Sequence, residues 1–246
     1  MDEYLTLLGT LLGAIIGAAI GAILTYVGAS HIERQHRKRE LTDRVYGPMF
    51  KETSRTLDAV KSFRPVQGAY SSSSGTLGSL TDDYLFFTIR QGLKGNWSEV
   101  MDRVGKYYKV QFAAELILDD ITRNEIEKNL GINITGSSGG AKHVWLALKI
   151  GKTMASSLDF ESAIFLKSAP QNFIKREKEK WGEDVQVDVT ILGQEKTLKE
   201  FESLYTTVLA KMEKEPLYRM EREQRTRLIE ELENLLRQLE PYVKPK

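Results

Sequence analysis

The chain has 246 residues, with 35 Lys and Arg against 34 Asp and Glu, and no cysteine. Disulfide frameworks, thiolate metal sites and thiol catalysis are therefore excluded. With Asp2 and Glu3 set aside, the remainder carries +3, which is no electrostatic footprint for nucleic acid.

Residues 5–29 contain no charged side chain and consist largely of Leu, Ile, Ala and Gly. As a helix this stretch is about 37 Å long, against roughly 30 Å for a bilayer hydrocarbon core. The length predicts a transmembrane anchor over residues 1–29. A cleaved signal peptide fits less well, because it needs a basic N-terminal region and a shorter apolar run. Arg34, Arg37, Lys38 and Arg39 crowd the distal flank, whereas no Lys or Arg precedes the span. That bias predicts a single-pass protein of the cell membrane with its N-terminus outside and its main domain cytoplasmic. The same four cations form a candidate membrane-surface site for anionic lipid headgroups.

Gly9, Gly13, Gly17 and Gly21 recur every four residues inside the span. Residues at that spacing lie almost above one another on a helix. They form a shallow groove that admits a second helix to backbone contact. These four glycines are the candidate helix-association site. The partner is another copy, giving a homo-oligomer, or a different membrane protein.

Residues 30–65 read as a basic juxtamembrane helix, interrupted at Gly47-Pro48 because proline lacks a backbone donor. Residues 66–80 are rich in Ser and Gly and read as a loop or linker. Residues 81–246 then form a mainly helical cytoplasmic domain. Thr81 is a candidate cap for a short helix carrying Tyr84, Leu85, Phe86, Phe87 and Ile89, ended by Gly92, Gly95 and Asn96. A second helix is expected from Ser98 to about Asn129, with Gly131 as its stop. Its core candidates are Val104, Tyr108, Phe112, Ile117 and Ile121.

Alternation over 185–191 predicts a half-buried strand, and 162–167 reads as a second strand beside it. Pro170 opens a helix through Trp181, closed by Gly182, with Phe173, Ile174 and Trp181 facing inward. Thr197 and Glu200 match a capping box. Pro216 opens the last helix, in which Leu228, Leu232, Leu235 and Leu239 follow a 4-3-4 spacing. That seam is too short for a coiled coil and predicts packing on the chain's own domain. The fold class is mainly α, with one N-terminal transmembrane helix and a small β element.

Few residue patterns in the chain point to chemistry. Gly136–His143 has the order of a phosphate loop, an apolar run, glycines and then Lys142. It departs from G-x-x-x-x-G-K-[ST] at Ala141 and His143, and Gly151-Lys152-Thr153 lacks the first glycine. A Gly/Ser turn is the simpler reading. Asp82-Asp83 and Asp119-Asp120 are adjacent pairs that do not face each other on a helix. His31, His36 and His143 have no metal-binding spacing. No catalytic residue, metal or cofactor is assigned. The leading expectation is a non-enzymatic, membrane-anchored scaffold or interaction protein acting through helix association. The alternatives are a small pore-forming or channel-accessory oligomer and a membrane-tethered nucleotide-using enzyme.

Overall fold

The computed structural model describes residues 2–63, 83–89, 91–132, 134 and 140–244, with side chains from Gly17 onward. The first helix, α1 (Asp2–Leu41), passes into a π-helical turn over Thr42–Tyr46 and then into α2 (Gly47–Lys61). The interruption falls where Pro48 removes a backbone donor. A 3₁₀ turn (Tyr84–Thr88) follows, held by Asp83, whose carboxylate accepts from the Leu85 N–H at 2.9 Å. Next comes the long α3 (Gln91–Leu130).

The predicted break at Gly92, Gly95 and Asn96 does not occur, and α3 runs through all three. Each glycine costs roughly 1 kcal/mol in a helix. Leu93 and Trp97 are buried on the same helix, with Trp97 edge-on to Phe86, and their burial offsets that cost. The helix ends as its sequence implies, with Gly131 in the left-handed region at φ 65°.

A 3₁₀ turn over Ala141–His143 leads to the hairpin β1 (Val144–Ile150) and β2 (Thr153–Asp159). After α4 (Phe160–Phe165) and α5 (Pro170–Trp181) come β3 (Gln186–Ile191) and β4 (Gln194–Lys196). The strands form one antiparallel sheet in the order β2-β1-β3-β4. The expected strand at 162–167 is instead α4 and the turn after it, capped by the Asp159 carboxylate accepting from the Ser162 N–H at 2.7 Å. The partner of β3 is β1, whose Trp145 pairs with Thr190. In α5, Phe173 is buried as expected but Trp181 is exposed.

The last helices are α6 (Leu198–Met212), which has both halves of its capping box, and α7 (Pro216–Val243). Helices α2, α3 and α7 form a bundle in which α7 runs antiparallel to the other two. Val45, Met49, Trp97 and Leu239 fill the end next to α1. Leu57, Val60, Val104, Tyr107 and Leu232 fill the middle. Phe63, Leu118 and Tyr218 join the sheet, α4, α5 and α6 in a third cluster at the far end. All four leucines of the α7 seam are buried within the chain itself. Phe112, expected in the core, is exposed, and Tyr107 takes an inward position instead.

The transmembrane expectation needs correction. Among the described residues, no helix is long and apolar enough to cross a membrane. The uncharged part of α1 ends at Ile32. Beyond it the same helix carries Glu33, Arg34, Arg37, Lys38, Arg39 and Glu40. The readings that rested on a span fall with it: the single-pass anchor over 1–29, the cell-membrane location, and the N-out, C-cytoplasmic orientation. The Ser/Gly stretch at 66–80 and Thr81 lie outside the described residues.

Candidate functional site

The densest group of titratable side chains lies where α3 meets α4 and the Ala141–His143 turn. Gln111, Glu115 and Asp119 are spaced four apart, so they share one face of α3. Gln111 is buried and donates from Nε2 to Glu115 Oε1 at 2.9 Å. Asp119 Oδ1 accepts from the Ala141 N–H at 2.8 Å. That bond needs a close approach at Gly140, where a Cβ would lie 2.4 Å from Asp119 Oδ1. Glu161 enters from the first turn of α4, and its Oε1 has no hydrogen-bond partner among the described residues.

Burial pushes the Glu161 carboxyl up to about 7, and the charge of Glu115 adds to this, while Lys142 opposes it. Burial also raises Glu115, against the hydrogen bond from Gln111 and the charge of Lys142. A carboxylate that titrates near neutrality is the kind of group general acid–base catalysis uses. The groove of about 220 Å³ between α3 and α7 is lined by Arg103, Tyr107, Arg227 and Glu231, and Glu161 is not among its lining residues. The larger cavity, about 600 Å³, lies beside the π turn among Thr42, Lys51, Arg55 and Val243. Among the described residues, no three His, Asp or Glu side chains are placed to hold a metal.

The arrangement also bears on the phosphate-loop resemblance. Residues 136–139 lie outside the described residues, but Lys142 stands in the field of Glu115 and Glu161. A phosphate there would meet carboxylates. Gly151 and Lys152 form the turn of the β1–β2 hairpin, with Gly151 at φ 59°. Of the adjacent acidic pairs, Asp83 and Asp119 hold backbone N–H groups and Asp120 is exposed.

A second polar network lies inside the bundle. Glu221 is fully buried on α7 and accepts from the Tyr107 hydroxyl at 2.9 Å. Arg225 Nε stands 3.5 Å from the same Glu221 oxygen, and its Nη2 donates to the Phe165 carbonyl at 2.7 Å. Tyr218 donates to the Ile164 carbonyl at 2.9 Å, and burial pushes its hydroxyl up to about 12. Burial raises Glu221 against the opposing charge of Arg225. This network ties α7 to α3 and α4, and its Tyr107 also lines the groove between α3 and α7. The sequence reading missed it, although Tyr218, Glu221 and Arg225 continue the seam spacing of Leu228 and Leu232.

The association residues divide in two. Gly9 and Gly13 lie among residues whose side chains are not described. Gly17 and Gly21 stand on an exposed face, and among the described residues nothing outside the helix's own backbone lies within 4 Å of a Cβ built at either, or at Gly28. Ile20, Ile23, Leu24, Tyr26 and Val27 around them are exposed large apolar side chains. Arg34, Arg37, Lys38 and Arg39 are exposed as well.

No protein-family model, curated protein or solved structure matches this chain.

Proposed function

We propose that the protein is an interaction scaffold in which a rigid helical body presents α1 as an arm for helix–helix association, with a second copy of the chain as its partner. The observation that carries this reading is the exposure of α1. Residues 17–29 are all exposed, including five large apolar side chains, while the three cores draw on later segments. Apolar side chains left in contact with water favour association, each full burial being worth about 1.5–3 kcal/mol. Gly17, Gly21, Leu24 and Gly28 fall within a narrow sector of the helix, so a partner helix can approach closely along that line. The open space above the glycines makes them a receiving surface and not a fold requirement.

The natural absence of cysteine makes the test direct. Single cysteines at Gly17, Gly21, Leu24 and Gly28 should form intermolecular disulfides under mild oxidation. Cysteines at Ala19, Ile23 and Tyr26, on the opposite side, should form few. Cross-linking without any helical period would reject a defined interface.

A further inference from the structure

The base of α1 carries a set of charges that the body does not use. Arg34, Arg37, Lys38 and Arg39 are exposed, and none makes a hydrogen bond or ion pair with another described residue. Their neighbour Glu40 is engaged elsewhere, bound to Arg44 at 3.0 Å. Arg34, Arg37 and Lys38 share one helix face, and all four cations fall within about 8 Å of helix rise.

Two exposed rings adjoin this base. Arg44 pairs with Asp83 at 2.9 Å and lies 5.6 Å from the centre of the Tyr84 ring. The 3₁₀ turn bearing Tyr84 thereby packs on the π turn directly after the cations. Tyr84 is 61% exposed and Phe87 65% exposed, and Lys94 stands 4.1 Å above the Phe87 ring. Rings held in water by neighbouring cations are costly for the isolated chain unless something else covers them.

We infer that this end of the molecule docks on the surface of an anionic phospholipid layer. Unpaired guanidinium and ammonium groups meet headgroup phosphates and carboxylates, and exposed rings suit the boundary between headgroups and acyl chains. The complementarity is of charge and polarity together, which a free phosphate ion does not offer. The contact is with the headgroup layer and needs no passage of the chain through a bilayer. It is independent of the helix pairing proposed above.

Flotation of the full chain with vesicles tests this. Phosphatidylcholine vesicles are compared with vesicles containing phosphatidylserine, at fixed ionic strength. Each surface cation is worth roughly fivefold in partitioning. The combined Arg34→Gln, Arg37→Gln, Lys38→Gln and Arg39→Gln variant should lose the preference for anionic vesicles, by roughly several hundredfold. Tyr84→Ser with Phe87→Ser should weaken binding while preserving that preference. Added salt should reduce wild-type binding, whereas inorganic phosphate at matched ionic strength should not compete. Equal partitioning of wild type and the four-Gln variant between the two vesicle types would overturn the proposal. Competition by inorganic phosphate would point to a free-anion site instead, and displacement by soluble polyglutamate at equal charge would point to an acidic protein partner. Either result would also count against a lipid surface.

Discussion

Replacing Glu161 by Gln should change the pH dependence of stability more than stability at any single acidic pH. The wild-type carboxyl titrates at about 7 in the folded chain, against 4.5 for an unperturbed glutamate. Its folded value is raised, so the folded state binds the extra proton. The linked stability is fully present below 4.5 and is lost as pH rises through about 7. At about 1.36 kcal/mol per tenfold change, the loss has a ceiling of roughly 3.4 kcal/mol. Partial solvent access to Glu161 reduces the expected value to about 1–2 kcal/mol. Glu115, also raised by burial, contributes with the same sign. Glu125 and Glu213, lowered first by hydrogen bonds from Lys211 and Lys167, have the opposite sign and lose their contribution as pH falls through their folded values. Between pH 5 and 8 the difference between Glu161→Gln and wild type should therefore grow in favour of the variant. Urea unfolding can be followed by the fluorescence of Trp97, which is 1% exposed. A difference constant from about pH 5 to 9 would refute the assignment of a buried, near-neutral carboxyl.

Three further outcomes follow from the geometry. Gly140→Ala should displace the Asp119 side chain, because the new Cβ would lie 2.4 Å from its oxygen. Loss of the bond to the Ala141 N–H should cost about 1–3 kcal/mol, read as a lower urea midpoint. Glu221→Ala should destabilise by about 3–5 kcal/mol, since it strands the half-buried Arg225 and the Tyr107 hydroxyl, and Tyr107→Phe should cost less. Thr197→Ala removes one half of the capping box and should lower stability by about 1 kcal/mol, with faster amide exchange in the first turn of α6.

Local chemistry made much of this fold legible. The capping box at Thr197, prolines at the starts of α5 and α7, and Gly131 after α3 each mark an element end through one backbone requirement. The first hairpin was hidden for a different reason. Val144, Leu146, Ala147 and Leu148 are all buried, so β1 shows no clean alternation, and β2 is mostly small or polar. The six-residue α4 resembles a strand in sequence because Ile164 and Phe165 suit either state. Its capping Asp159 was the available signal. Leucines alone make the α7 seam look short. Its spacing extends back through Arg225 and Glu221 to Tyr218, and polar side chains at seam positions fix register.

The Glu161 cluster was not legible, since Glu115, Asp119, Lys142, Asp159 and Glu161 come from separate segments that only the tertiary fold gathers. The error over α1 came from taking charge-free length as sufficient. Composition alone suggests passage through a bilayer, whereas among the described residues no helix is long and apolar enough to cross one.

The central claim is that the exposed glycine face of α1 pairs two copies of the chain. The direct measurement compares the association constants of wild type, Gly17→Ile, Gly21→Ile and Ile23→Leu by sedimentation equilibrium under one solvent condition. Among the described residues, nothing outside the helix's own backbone lies within 4 Å of a Cβ at Gly17 or Gly21, so both isoleucines fit the isolated fold. The account predicts dimerisation in wild type and Ile23→Leu, weakened at least tenfold by either isoleucine because the helix axes are forced apart. A monomeric wild type, or equal association in all four proteins, would contradict it.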